Sequence, residues 1–172
     1  MVQVVGCDWG IESSAREDQC GICHGDGTTC TTVKQNFDKQ VGVGYVEATV
    51  IPAGARNIRV EEVAEANNYL AIRNDQGRYY LNGHWYIQWS GDYEAAGTVI
   101  HYRRDGNKES FNSPGPLREP LHVMVSYPWR RLYRVQWAFH RRLYVMNVKK
   151  LQFIHTVNGD GSKTAKIIKR QC

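Results

Sequence analysis

Four cysteines, Cys7, Cys20, Cys23 and Cys30, fall within 24 residues at the spacing C-x12-C-x2-C-x6-C. Thiols at that density pair as disulfides, hold a metal, or anchor a haem. Two disulfides among four cysteines allow three connectivities, and the spacing does not choose among them. A structural zinc site usually needs two closely spaced ligand pairs. Only Cys20 and Cys23 form such a pair, and His24 is adjacent rather than usefully spaced. Cys20-Gly21-Ile22-Cys23-His24 also matches C-x-x-C-H, in which both sulfurs would form thioethers to a haem and the histidine would be its proximal ligand. Its flanks, two further cysteines and a Gly25-Asp26-Gly27 turn, suit a small disulfide knot better. Cys172, the last residue, is the odd thiol: free, or an intermolecular link.

Other reactive constellations are missing. There is no H-E-x-x-H, G-x-S-x-G, Walker A or G-x-G-x-x-G motif. The six histidines, at 24, 84, 101, 122, 140 and 155, lie at no metal-ligand spacing. Glu61 and Glu62 would point to opposite faces of a strand, which suits a sheet better than an acid/base pair. An aromatic share of 11% could serve base stacking, but the expectation is that Trp85, Trp89 and Tyr102 fill a core. The chemistry is that of a binding or structural module.

The elements that must position these residues read as β-structure. A chain of 172 residues, 42% hydrophobic and 23% charged, is long enough to bury one domain's core. From about residue 43 to 126, short β-branched and aromatic runs alternate with Gly, Asn, Asp and Pro. Strands are expected at Tyr45–Ile51, Asn57–Val63, Tyr69–Arg73, Arg78–Leu81, His84–Trp89, Gly97–Arg103, Lys108–Phe111 and Leu121–Tyr127. Hairpin turns are expected at Asn74–Gly77, Asn82-Gly83 and Asp105–Asn107. Ile58 and Val60 should face in while Arg59 and Glu61 face out. Trp85, Ile87 and Trp89 should share a face, and Leu121, Val123 and Val125 should alternate against His122 and Met124. Val63–Asn67 could make one helical turn. The spacing of about ten residues between strands argues for an antiparallel sandwich. Tyr133–Phe139 suits one more amphipathic strand, Leu143–Val157 a further strand pair, and the Lys-rich end after Asn158–Ser162 a frayed terminus.

Charge divides the chain. Residues 118–172 hold 12 basic and 2 acidic side chains, so the whole basic excess behind the net charge of +5 sits in the last third. Arg130-Arg131, Arg141-Arg142 and Lys149-Lys150 could attract polyanions such as nucleic acid, sulfated glycans or anionic lipid. No run of 18 apolar residues could span a membrane. The N-terminus carries no secretion signal, and no N-x-[ST] sequon occurs.

Gly6-Cys7-Asp8 and then Glu17-Asp18-Gln19-Cys20-Gly21-Ile22-Cys23-His24-Gly25-Asp26-Gly27-Thr28-Thr29-Cys30 resemble the end of the cysteine-rich domain of the ADAMTS family, secreted zinc metalloproteases with thrombospondin repeats. Gly44-Tyr45, Ile51–Ile58, Asn68–Arg73, Tyr80–Trp85, Gly97-Thr98, Tyr102–Arg104 and Gly115–Leu121 resemble, in order, the spacer domain that follows there. The same modules occur in ADAMTS-like proteins and papilin, which lack protease activity. The resemblance covers about residues 6–125.

It implies the end of a cysteine-rich domain over 1–32, disulfide-bonded through Cys7, Cys20, Cys23 and Cys30. That removes the haem and zinc readings. It implies a jelly-roll-like spacer sandwich, truncated, over 33–127, and leaves 128–172 as a divergent basic tail that could supply a last strand. Family spacers act as exosites for protease substrates or extracellular-matrix proteins, and some bind heparan sulfate. The chain would hold no cofactor, because the catalytic zinc belongs to an upstream protease domain. The start at Met1, just ahead of the cysteine motif, reads as a piece of a longer secreted protein, and the tail as an alternative exon or read-through sequence. Partner contacts would come from arginines and aromatics beside turns: Arg78 and Tyr79 next to Asn74–Gly77, and Arg103 and Arg104 next to Asp105–Asn107. A nucleic-acid binder driven by the tail is the alternative, though no recognised nucleic-acid motif supports it.

Overall fold

The computed structural model describes residues 3–38, 44–127 and 150–158. Ten strands follow in order: β1 (Cys30–Phe37), β2 (Gly44–Ile51), β3 (Arg56–Ala64), β4 (Tyr69–Arg73), β5 (Tyr79–Leu81), β6 (Gly91–Ala95), β7 (Thr98–Asp105), β8 (Lys108–Ser113), β9 (Leu121–Tyr127) and β10 (Lys150–Asn158). They form one six-stranded sheet, β1-β10-β3-β8-β7-β6, and one four-stranded sheet, β2-β9-β4-β5. Every pairing is antiparallel.

Alternation makes the sandwich. Ile58 and Val60 of β3, Ile100 and Tyr102 of β7, and Phe111 of β8 point from the large sheet into one core. Ile51, Leu70, Ile72, Leu121, Val123 and Val125 meet them from the small sheet. Each such aliphatic side chain contributes about 1.5–3 kcal/mol on full burial. Two of the connections are two-residue hairpins. Ala95 pairs with Thr98 around Ala96-Gly97, and Asp105 pairs with Lys108 around Gly106-Asn107. Ala96 and Gly97 both have positive φ, 48° and 76°, the backbone of a type I′ turn that matches strand twist. No helix among the described residues is long and apolar enough to cross a membrane.

The structure departs from the sequence reading in four places. His84–Trp89 is a loop, not a strand. Trp85 and Trp89 are 46% and 86% exposed, so of the three aromatics expected in the core only Tyr102 is buried there. The pairing slot beside β7 is taken instead by β6, whose Gly91-Asp92-Tyr93-Glu94-Ala95 has little β propensity and is recruited by the tight turn at Ala96-Gly97. Val63 and Ala64 complete β3 rather than opening a helical turn. In β9 the expected outward residue Met124 is buried as well, because β9 lies between β2 and β4. The last third of the chain supplies an interior strand within the segment Leu143–Val157 read as β-structure and one residue beyond it. β10 pairs with β1 on one side and β3 on the other, and buries Leu151 and Phe153 in the core. Tyr133–Phe139, Leu143–Lys149, the end beyond Asn158, and Cys172 lie outside the described residues.

Candidate binding surfaces

The cysteine segment is a knot. Cys7 is joined to Cys23 and Cys20 to Cys30. Asp18 organises the turn between them: its carboxylate accepts hydrogen bonds from the backbone N–H groups of Cys20, Ile22 and Gly27 at 2.9, 2.9 and 2.8 Å. Those bonds, led by Ile22, hold its pKa below the ordinary aspartate value. The knot docks on the sandwich through the start of β3, where Arg56 pairs with Glu17 at 3.1 Å and Asn57 Nδ2 donates to the Gln19 carbonyl at 2.7 Å. Cys20 and Cys23 both have their sulfur committed to a disulfide, which closes thiolate ligation and thioether formation to them. His24 instead lies 3.7 Å from Asp8.

Arg78 lines a recess of about 450 Å³ together with Tyr80, Glu94, Gly97 and Arg118. Its guanidinium carbon sits 5.7 Å from the Tyr80 ring centroid, a cation–π distance. The Tyr80 hydroxyl donates to Glu119, which raises its pKa above the ordinary tyrosine value and keeps it a donor. Arg118 N–H donates to the Ala96 carbonyl at 2.7 Å, and its side chain lies flat on Gly97. A β-carbon at Gly97 would stand 2.3 Å from Arg118 Cδ, so this glycine makes room for the arginine as well as for the turn. Neither Arg78 nor Arg118 has a carboxylate partner among the described residues.

A second surface is the loop between β5 and β6. Asn82, fully buried with φ 52°, closes it as a ring: its N–H donates to Gln88 Oε1 at 2.6 Å, and its Oδ1 accepts from Gln88 N–H at 2.7 Å. Asn82 Nδ2 donates inward to the Leu70 carbonyl at 2.7 Å and to the Tyr102 hydroxyl at 3.3 Å. The Tyr45 hydroxyl donates to the Asn82 carbonyl and accepts from Trp85 N–H, both at 2.8 Å. A β-carbon on Gly83 would fall 2.2 Å from Tyr79 Cβ, so the chain passes there only as glycine. His84 and Trp85 also adopt positive φ. The result turns Trp85, Tyr86 and Trp89 outward.

Comparison with known proteins decides what frame these surfaces stand on. Residues 32–141 match the family model described as ADAM-TS Spacer 1. The chain belongs to this spacer family. It is 54% identical over 124 residues to human "A disintegrin and metalloproteinase with thrombospondin motifs 7", covering 72% of the chain and 7% of that protein. It is 50% identical over 124 residues to mouse "A disintegrin and metalloproteinase with thrombospondin motifs 12", covering 72% and 8%. Human Papilin is 44% identical over 124 residues, covering 69% and 10%. The chain thus spans about a tenth or less of these relatives. What the chain matches is the spacer, a non-catalytic module.

On the spacer, the four residues picked out beside turns separate. Arg78 is exposed at the recess with Arg118, a residue of the Gly115–Leu121 motif that the sequence does not mark as a contact. Tyr79 is half-buried, its ring 4.9 Å from Tyr45 and 5.3 Å from His84, so it supports the aromatic loop from beneath. Arg103 and Arg104 are neighbours on β7 and point to opposite sides of the sheet, so they do not act as a pair. Arg103 is exposed. Arg104 stacks on Tyr69 at 4.6 Å, and its Nε donates to the Gly106 carbonyl at 3.0 Å. On the small sheet, His122 of β9 lies between Glu47 of β2 at 2.7 Å and Asp75 of the β4–β5 turn at 2.5 Å, with Arg73 3.9 Å from Glu47. Partial burial works against its charge, but the two carboxylate hydrogen bonds prevail and its pKa is raised above 6.5.

Proposed function

We propose that this spacer is the extracellular exosite and matrix-binding module of an ADAMTS-type metalloendopeptidase, contributing substrate recognition and matrix organisation. The catalytic zinc would lie in a protease domain elsewhere in the parent protein, and the whole protein would be secreted. The paired disulfides among Cys7, Cys20, Cys23 and Cys30 support an oxidising compartment. The division into a cysteine-rich end (1–32), a spacer (33–127) and a basic tail (128–172) is part of this reading.

The observation that carries it is the Arg78–Arg118 recess. Two guanidiniums without carboxylate partners among the described residues, one resting on Tyr80 and one on the β6–β7 turn, form a preset anion-binding pair. Heparan sulfate and acidic matrix proteins fit that chemistry. Glu94 on the same rim tempers it and disfavours indiscriminate polyanion binding. The test is binding of the secreted chain to immobilised heparin across a salt series. R78A/R118A is expected to weaken binding about tenfold or more and to make it less steeply dependent on salt, since each lost contact releases fewer counterions. E94Q should tighten it. Unchanged binding by R78A/R118A would overturn the assignment of this recess.

A second reading, favoured by the Papilin match, is a papilin-type or ADAMTS-like matrix protein without a protease. The parent transcript separates the two: an upstream H-E-x-x-H supports the first, its absence from the complete reading frame the second. Nucleic-acid binding by the basic tail would need a preference for nucleic acid over heparin at matched salt.

A further inference from the structure

Trp85, Tyr86 and Trp89, exposed 46%, 68% and 86%, stand on a loop tied down along its length. Asn82 and Gln88 close the loop on itself, and Tyr45 clamps its crown. Tyr93 hydroxyl donates to the Trp89 carbonyl at 2.6 Å, and Ser90 Oγ accepts from Arg104 N–H at 2.9 Å. Ordering a loop residue costs about 1–2 kcal/mol. That cost is already met in folding, so a partner would not bear it. Rigid aromatic anchors with few rotatable bonds are how binding surfaces gain affinity cheaply.

Beside Trp89 lies a recess of about 300 Å³ lined by Ile87, Gln88, Trp89, Ser90, Arg104 and Gly106. Arg104 is the only cation among them. Its stacking on Tyr69 and its Nε bond fix the guanidinium in place, and it has no carboxylate partner among the described residues. The recess therefore offers an aromatic wall and one positioned positive charge.

We infer that this recess binds an extended, proline-bearing peptide segment with a carboxylate next to the proline. An aromatic-lined recess of this size takes one or two side chains, not a folded surface. A polyproline-type segment is preformed, leaves its carbonyls unbonded, and stacks its rings on aromatic side chains. Such a ring matches the Trp89 wall, and the acidic neighbour matches Arg104. A sulfated glycan chain would need several cations along the recess, and one is present. The inference rests on the reading of the spacer as a binding module, but on residues other than Arg78 and Arg118, so the two can fail separately.

The test uses the secreted 172-residue chain, tryptophan fluorescence and calorimetry. The probes are a short synthetic peptide of alternating proline and glutamate, its glutamine counterpart, its glycine-for-proline counterpart, and a heparin-derived oligosaccharide. Saturable binding of the proline–glutamate peptide is expected. W89A should weaken it about tenfold or more, as truncation of an aromatic anchor does, with a melting temperature equal to wild type because Trp89 makes little burial. R104Q should bring the glutamate peptide about to the affinity of the glutamine peptide and leave the latter unchanged. Lack of saturation, equal affinity for the glycine counterpart, or equal affinity of W89A would overturn the inference. So would a W89A-sensitive preference for the oligosaccharide, or self-association that quenches Trp89.

Discussion

Replacement of Asn82 by alanine should cost this fold about 4 kcal/mol. The side chain is fully buried and makes three hydrogen bonds, to Leu70 carbonyl, Tyr102 hydroxyl and Gln88 N–H. A buried group left without its partner costs about 1–3 kcal/mol, and ordered water at the loop would recover part of that. Alanine at φ 52° adds about 1–2 kcal/mol that asparagine largely avoids. A module of this size loses roughly 2–4 °C per kcal/mol, so the melting temperature should fall by about 8–16 °C. Thermal unfolding followed by circular dichroism measures it, and N82G separates the causes, since glycine keeps the backbone conformation and loses only the hydrogen bonds. Tryptophan emission should shift in parallel, because the loop that carries Trp85 and Trp89 loses its closure. A drop of less than about 1 kcal/mol in N82A would refute the view that this ring holds the loop.

Two further outcomes follow from the same frame. The raised pKa of His122 means that the folded state binds its proton more tightly than the unfolded chain does. Its stabilising contribution is therefore complete below the unfolded value near 6.5 and is lost as pH rises through the folded value. H122Q should flatten the fall in stability between wild-type measurements just below and well above pH 6.5, and a slope unchanged by H122Q would contradict the Glu47–His122–Asp75 arrangement. Removal of the Cys20–Cys30 bridge as C20S/C30S, with its separation of 10 residues, should cost about 3 kcal/mol on the loop-entropy account. Thiol labelling of the unreduced wild type should find Cys7, Cys20, Cys23 and Cys30 all protected, and labelling of any of the four would count against the knot.

Much of the sandwich is legible because its strands alternate and its turns are chemically explicit. Ile58 and Val60 against Arg59 and Glu61, and Asp105-Gly106-Asn107 between two β-rich runs, leave little choice of face or hairpin. Trp85, Ile87 and Trp89 alternate just as well and mislead. One buried asparagine, reached by Gln88 six residues on, overrides the pattern, and a period-two reading has no means of seeing it. β6 is invisible for the opposite reason: Gly91–Ala95 has no strand signal and is placed by its turn. β10 falls in the segment Leu143–Val157, which reads as strand, but its place between β1 and β3 is not legible, because no local pattern names a strand's partners. Arg78 is picked out by its place beside a turn, but nothing in the sequence says that Arg118, 40 residues further along, shares its recess; contact with Gly97 brings it there.

The central claim is that this spacer works by binding through preset surface groups on a rigid β-frame. The most direct measurement is retention of the secreted chain on decellularised extracellular matrix, compared with R78A/R118A/W89A of equal melting temperature. Retention of wild type and a loss of about tenfold or more in the triple variant is the predicted result. Equal retention of the two proteins would contradict it.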